Sequence, residues 1–351
     1  MRTYRVDLIS DTVTKPSAAM RKAMAEAEVG DEQKFEDPTV NRLQERVCEL
    51  LGKEAALYLP SGTMCNQIAL AVHCRAGDAV FMDQTAHPLT AEGGGPAANA
   101  RAMVVPIAGE GGVFTAEQLA AALPDGSRYR PVARLVSLEQ TSNLGGGRIW
   151  PLATLDGVCR LARARGLALH LDGARLFNAV VGGGVPAREY AARVDSIWID
   201  FSKGLGAPVG ACLAGSAAFI AEAWRWKQRL GGSMRQAGII AAGALYALEH
   251  NVERLADDHR RAARLAAQVA DLPGLHAHPV ETNIVLIDVE RPAALWAERL
   301  AAHDVRVGAI GPNRLRAVTH LDVDDAAIEQ AVAAFRTTAE TLAAEPAAGT
   351  R

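Results

Sequence analysis

Short apolar runs alternate with helical segments along the chain. The runs at 55–59, 79–82, 103–107, 133–138, 167–171 and 196–201 are each bounded by polar residues or glycine. Helical patterns lie between several of them, as at 63–75 and 151–165. Parallel strands joined by crossover helices are buried on both faces and read as continuous apolar runs of this kind. The expected core is therefore an α/β fold with a mostly parallel central sheet covered by helices. Residues 16–52 read as two further helices. The second opens at Asp37-Pro38, a capping acid followed by proline at the first helical position. Its apolar residues Val40, Leu43, Val47, Leu50 and Leu51 recur at helical spacing. Past Gly231-Gly232 the pattern predicts one long helix over 235–270, then a smaller strand–helix set at 283–289, 292–302, 315–319 and 326–342. The expected organisation is an N-terminal arm (1–15), a large domain (16–250), a small C-terminal α/β domain (251–342) and a frayed tail (343–351). The domain boundary falls inside the long helix.

At 351 residues the chain is long enough for two units with deep cores. A net charge of −3 gives nucleic-acid binding no support. No run of about 18 apolar residues occurs, so no membrane span is expected. The segment from Met1 to Asp7 lacks the apolar core of a signal peptide, which makes the cytoplasm the expected compartment. The five cysteines, Cys48, Cys65, Cys74, Cys159 and Cys212, are odd in number and form no C-x-x-C pair. Reduced, mostly buried thiols fit that pattern better than disulfides or zinc, and no metal ligands are assigned.

In an open parallel sheet, ligands bind beyond the carboxyl ends of the strands. Ser61-Gly62-Thr63 follows the first run at a helix start, as either a plain cap or an anion site built from free N–H groups. Asp172-Gly173-Ala174-Arg175 follows the run at 167–171; alone, the acid is a cap, a surface group or a charge partner. Lys203 follows the run at 196–201. Only six of the 37 basic residues are lysines, and arginine can neither lose its proton nor form a Schiff base. A solvated strand-end lysine is the plainer alternative. His87 precedes Glu92-Gly93-Gly94-Gly95 and reads as a structural histidine or a flat cover for a ring. The glycines let backbone come close to something crowded, but they do not form a dinucleotide fingerprint. In conjunction these features point to pyridoxal phosphate. That cofactor needs a phosphate site, a lysine amine, an acid for its pyridine nitrogen and, for its amino-acid substrate, a guanidinium.

The chain resembles the L-threonine aldolases, of the β-eliminating lyase group within fold-type I pyridoxal-phosphate enzymes. The resemblance rests on the stretches 7–14, 36–40, 60–64, 170–175, 202–210, 234–238 and 316–320. It implies a large cofactor-binding domain with a smaller C-terminal one. It implies that Lys203 holds the cofactor, Asp172 pairs with its ring nitrogen and His87 stacks on the ring. Ser61, Gly62, Thr63 and Arg235 would bind the phosphate, with Arg235 reaching from a neighbouring subunit. Ser10, Arg175 and Arg316 match residues that hold the substrate carboxylate. The implied assembly is a homo-oligomer, dimer or tetramer, with active sites at subunit boundaries. The implied reaction is retro-aldol cleavage of a β-hydroxy-α-amino acid to glycine and an aldehyde, with His87 as base or relay. The alternative is another reaction on the same scaffold, β-elimination or racemisation; a nicotinamide enzyme or a non-catalytic binding protein is the remaining class.

Two departures bear on the substrate. Where relatives commonly carry a tyrosine and a glycine before Glu-Asp-Pro, this chain has Lys34 and Phe35. Where they carry a histidine beside the substrate's β-hydroxyl, it has Ser142. Ser142 is thereby expected at the substrate, in a pocket that favours β-substituents larger than methyl, with Phe35 offering an apolar face or Lys34 recruiting an acid.

Overall fold

The computed structural model describes residues 3–345; residues 1–2 of the expected arm and 346–351 of the expected tail lie outside the described residues. The first elements are β1 (Val6–Asp7), α1 (Ala18–Ala25) and α2 (Pro38–Leu51). Alternation then sets in with β2 (Ala55–Leu59), α3 (Gly62–His73), β3 (Ala79–Asp83), α4 (His87–Thr90), β4 (Met103–Ile107), α5 (Ala116–Ala122) and β5 (Ala133–Glu139). It continues through α6 (Leu152–Ala164), β6 (Ala168–Gly173), α7 (Leu176–Gly183), α8 (Ala187–Ala191) and β7 (Ser196–Asp200). β8 (Ala211–Gly215), α9 (Ala217–Arg229), α10 (Gly238–His250) and α11 (Leu255–Val269) lead to the C-terminal part. That part holds β9 (Leu275–Ala277), β10 (Ile284–Val289), α12 (Ala293–Ala302), β11 (Val305–Arg306), β12 (Gly308–Gly311), β13 (Arg314–Val318) and α13 (Asp325–Ala344).

The six apolar runs all become strands of one seven-stranded sheet, ordered β2-β8-β7-β6-β5-β3-β4. The seventh strand, β8, has no counterpart in the sequence reading. Its residues, Ala-Cys-Leu-Ala-Gly, are mostly small and carry little strand propensity, yet all five are buried. Burial between two neighbours, not propensity, makes it a strand. β8 runs antiparallel to both β2 and β7, because residues 201–210 turn the chain straight back without a crossover helix. That reversal carries Lys203. The smaller sheet, β12-β13-β10-β9, is antiparallel throughout, and β1 pairs with β11 beside it.

The expected long helix over 235–270 is two helices, α10 and α11. The break falls at Asn251, which is buried and whose Nδ2 donates to the Leu205 carbonyl at 2.7 Å. An asparagine side chain drawn into the loop after Lys203 thus ends α10 where periodicity alone gives no stop. In α2 the apolar stripe is as expected, with Val40, Leu43, Val47 and Leu51 buried, each contributing roughly 1.5–3 kcal/mol. Asp37 is buried and caps two helices. Its Oδ1 accepts the Thr39 and Val40 N–H groups of α2, and its Oδ2 accepts the Gly238 N–H at 2.8 Å at the start of α10. The Glu36–Val40 stretch is therefore a scaffold element, away from the strand ends.

The apolar side chains gather in two main clusters. One lies between the large sheet and α2, α6 and α10; the other joins α11, α12 and α13 to β10 and β13 and includes Val6 and Leu8. No helix among the described residues is long and apolar enough to cross a membrane.

Candidate active site

Glu139 ends β5, Asp172 lies one residue before the end of β6, and Asp200 ends β7. Register places Glu139 opposite Asp172, and Asp172 opposite Trp198. Together with residues from the N-terminal segment, α3, α4 and β13, they line a cleft of about 510 Å³. Lys203, Asp172, His87, Ser61, Gly62, Thr63, Ser10, Arg175 and Arg316 all face it. Nine positions spread over more than 300 residues of sequence are thus brought to one cleft at the strand ends.

Asp172 is buried. Its Oδ2 accepts from Asn66 Nδ2 at 2.8 Å and its Oδ1 from the Ala174 N–H at 3.0 Å. Burial pushes its carboxyl above the ordinary range, while the Asn66 bond and the Lys203 charge oppose that shift. Lys203 Nζ donates to Asp200 Oδ2 at 2.6 Å. Asp200 is itself held by Ser202, whose N–H and Oγ both donate to Oδ1. Thr14 Oγ1 donates to the Lys203 carbonyl at 2.9 Å, tying the N-terminal segment to the lysine loop.

Ser61 caps α3 by accepting the Met64 N–H at 3.2 Å. The N–H groups of Gly62 and Thr63, in the first turn, have no intrahelical acceptor. The indole of Trp198 packs so closely on Gly62 that a Cβ there would overlap it. Ser61 thus caps the start of α3, and Gly62 and Thr63, whose N–H groups come next, border the cleft.

His87 opens α4. Its N–H donates to Glu139 Oε2 at 2.9 Å, and its Nδ1 lies 2.9 Å from Glu92 Oε1. The Glu92 bond raises the imidazole's pKa, burial opposes it, and the charges of Asp172 and Glu139 add to the rise. Glu139 also accepts the Asn143 N–H at 2.7 Å. Burial, reinforced by Asp172, pushes the Glu139 carboxyl up to about 7.

Across the cleft sit two guanidinium groups. Arg175 is buried, and its Nε and Nη2 each lie 2.7 Å from Asp11. Its planar fork is therefore committed to Asp11, and only Nη1 turns toward Asn143, at 3.4 Å. Arg316 Nη1 donates to the same Asn143 Oδ1 at 2.8 Å and Nη2 to the Ile9 carbonyl, while its buried Nε has no partner among the described residues. Burial and the neighbouring Arg175 depress the Arg316 pKa. Asp11 pairs with Arg175, whereas Arg316 hydrogen-bonds the neutral Asn143 amide and the Ile9 carbonyl, which leaves this side of the cleft with a positive charge suited to an anion.

Ser142, Lys34 and Phe35, expected at the substrate, are not in the cleft, and Arg235, expected from a neighbouring subunit, lies outside its own. Ser142 is buried in a turn, where its Oγ accepts the Gly145 N–H at 3.2 Å and its backbone pairs with Arg148. Cβ atoms at Gly112 or Gly145 would overlap its hydroxyl, so it is wedged under glycines and does not face the cleft. Asn143, its neighbour, takes the exposed place. Arg235 is 61% exposed and pairs with Asp31. Neither Lys34 nor Phe35 lines the cleft; Phe35 stands in a left-handed conformation with its ring edge-on to Trp224. The glycine triplet serves turns: Gly93 and Gly94 have positive φ, and Gly95 lies against the Gln67 side chain.

Several residues escaped the sequence reading: Asp11, Asn66, Glu92, Glu139, Asn143 and Asp200. Asn66 had a signal, being a polar residue inside an apolar helix. Asp200 stands three residues before Lys203. Glu139 and Asn143 depend on a loop that folds back, which no local pattern reveals. Among the described residues, no group of three or more His, Cys, Asp or Glu side chains is arranged to hold a metal.

The sequence profile of the beta-eliminating lyases matches residues 7–292. The chain is 42% identical over 333 residues to the low specificity L-threonine aldolase of Escherichia coli (strain K12), covering 94% of this chain and 98% of that one. It is 38% identical over 341 residues to low-specificity L-threonine aldolase 1 of Arabidopsis thaliana, covering 94% and 95% respectively. The structure of Leishmania major threonine aldolase superposes with a TM-score of 0.83 at 20% identity, covering 95% of this chain and 99% of that one, a likeness of fold. With its cleft at the strand ends of a mostly parallel sheet, and with these matches along nearly its whole length, the chain belongs to the beta-eliminating lyase family and is similar throughout to its threonine aldolases.

Proposed function

We propose that this protein is a pyridoxal-phosphate-dependent aldehyde lyase that cleaves an L-β-hydroxy-α-amino acid, such as threonine or allo-threonine, to glycine and an aldehyde. The observation that carries the reading is the division of the cleft. Lys203, the buried Asp172, His87 and the α3 N-terminus stand on one side, and on the other stand Arg175, paired with Asp11, and Arg316, which shares Asn143 Oδ1 with it. The donor set fits the cofactor: an amine for its aldehyde, an acid for its ring nitrogen, first-turn N–H groups for its phosphate. When bound, the cofactor supplies an electron sink for the electrons of the broken Cα–Cβ bond.

The chain's own groups do the rest. Lys203 Nζ would hold the cofactor and, once freed, is within reach of Asp200 Oδ2. Asn66 and the Ala174 N–H keep the Asp172 carboxylate oriented. Arg316 and Arg175 Nη1 bind the substrate carboxylate and orient the bond to be broken, a positioning effect. His87 Nε2, the ring nitrogen not engaged with Glu92, is the group that carries a proton to or from the substrate. Because Ser142 is wedged in its turn, it does not enlarge the β-substituent side, and the basis for preferring larger substituents falls away.

A panel of threonine, allo-threonine, β-phenylserine and serine, with glycine, aldehyde, keto acid and ammonia all measured, tests the reading. Glycine with stoichiometric aldehyde is expected. Keto acid and ammonia as the main products would replace it with β-elimination.

The assembly read here is a homo-oligomer, dimer or tetramer, in which Arg235 serves a neighbour's phosphate site. Its exposure and its place outside its own cleft support this. Five free cysteines support a reducing, cytoplasmic compartment. The two apolar clusters support domains at 16–250 and 251–342, with the N-terminal arm packed on the smaller.

A further inference from the structure

Glu92 is a buried carboxylate held by three side chains. Its Oε1 accepts from Asn66 Nδ2 at 2.8 Å and faces His87 Nδ1 at 2.9 Å, and its Oε2 accepts from Gln67 Nε2. Asn66 and Gln67 are neutral amides, so among the described residues His87 is the one ionisable group hydrogen-bonded to this acid. A buried carboxylate is tolerated when a donor, preferably charged, satisfies it. Asn66 does more than fill a lone pair. The two hydrogens of its single amide nitrogen go to Glu92 Oε1 and Asp172 Oδ2, and its Oδ1 accepts from Trp198 Nε1 at 2.7 Å. The amide is therefore locked between the ring-side histidine's acid and the acid for the cofactor nitrogen.

We propose that Glu92 is a positioning residue for the lyase reaction: it holds a proton on His87 Nδ1 and thereby presents Nε2 to the cleft, while Asn66 keeps Glu92 and Asp172 in fixed relation. The inference rests on the lyase reading for its purpose but not for its geometry. The plainer role, an anchor for the turn at Gly93 and Gly94, requires only that Glu92 accept hydrogen bonds; it predicts no effect on His87. The groups that face His87 are Glu92 on its own segment, Glu139 at the end of β5 and Asp172 at the end of β6. Lys203 stands beside Asp172, and Arg175 acts on Glu139 from the far side. Of the three acids, only Glu92 bonds the ring, and its bond is the largest cause of the raised imidazole pKa.

The test is the pH dependence of hydrogen–deuterium exchange at the C2 carbon of His87, read by mass spectrometry on the cofactor-loaded enzyme. His250 and His303 in the same digest serve as internal references. In the native protein the His87 midpoint is expected above about 6.5, the value of an unperturbed imidazole. Glu92→Gln keeps an acceptor and removes the charge. It should lower that midpoint by about one pH unit, a tenfold loss of proton affinity, with cofactor affinity changed less than about threefold. With His87 Nε2 acting as base, the acid limb of the kcat/KM profile should move down with it. A midpoint that does not move in Glu92→Gln would overturn the proposal. So would a native midpoint at or below about 6.5, a measurement that needs no variant. If His87 behaves as expected and the substrate panel yields no glycine, the lyase reading fails and this inference stands.

Discussion

Lys203 is the residue whose chemistry no neighbour can replace. Borohydride reduction of the loaded enzyme followed by peptide mapping should find the cofactor on Lys203, and on none of the other five lysines. Lys203→Ala should fold and show no such adduct. Arg175 presents a different case. Its sequence context suggested a free fork for a carboxylate, but Asp11 occupies that fork. Burial alone would raise the Asp11 carboxyl, yet Arg175 outweighs it and lowers the pKa to about 2, below the ordinary carboxylate range. A depressed folded-state pKa stabilises the protein above the unfolded value and loses that contribution as pH falls through the folded one. The shift is worth about 2 kcal/mol. Native stability in urea should therefore decline between about pH 4 and pH 2. Asp11→Asn should already be destabilised at pH 7, by about 3–5 kcal/mol, because it strands a buried guanidinium. A flat pH dependence of the native protein across that window would show that Asp11 is not held as described.

Elements carry the site as much as residues do. The N-terminus of α3 can border the cleft because Gly62 admits the Trp198 ring. Gly62→Ala should push the helix start away from β7 while leaving the sheet intact. Cofactor affinity, measured by titration of the visible absorption, should weaken at least about tenfold, which is about 1.4 kcal/mol. An unchanged affinity would mean that the phosphate lies elsewhere. Asp37 acts at the same scale, since one carboxylate caps α2 and α10 together. Each lost cap costs about 1 kcal/mol, so Asp37→Ala should lower stability by about 2 kcal/mol without touching the cleft. A urea midpoint at the native value would refute the double cap. Both effects belong to elements whose side chains were partly readable: the Asp37-Pro38 start was plain, and the second helix served by that acid was not.

For the whole molecule, the decisive question is whether Arg235 serves the phosphate site of a neighbouring subunit, as proposed. A chain carrying Lys203→Ala and another carrying Arg235→Ala should each be poorly active alone. Mixed and reassembled, they should recover activity, because some cofactor sites then combine an intact Lys203 with a partner's Arg235. Recovery of about a quarter of native activity is the arithmetic expectation for random pairing, since half the dimers are mixed and each mixed dimer has one intact site of two; no recovery would place Arg235 in a structural role. The sequence by itself determined the strand–helix alternation, the cap of α2 and the strand-end positions of Asp172 and Lys203. Those features depend on local periodicity and on residue types with restricted chemistry. It could not determine β8, whose small residues become a strand only through burial between β2 and β7. Nor could it break the 235–270 helix, because Asn251 answers to a carbonyl 46 residues away in sequence. The pairing of Arg175 with Asp11 spans 164 positions, and the Asn66 bridge joins α3 to β6. Ser142 turns inward while Asn143 faces the cleft, a choice made by Gly112 from another segment and Gly145 from its own turn, both packed on the Ser142 hydroxyl. Contacts between distant segments, which leave no local periodicity, decided which polar groups face the cleft.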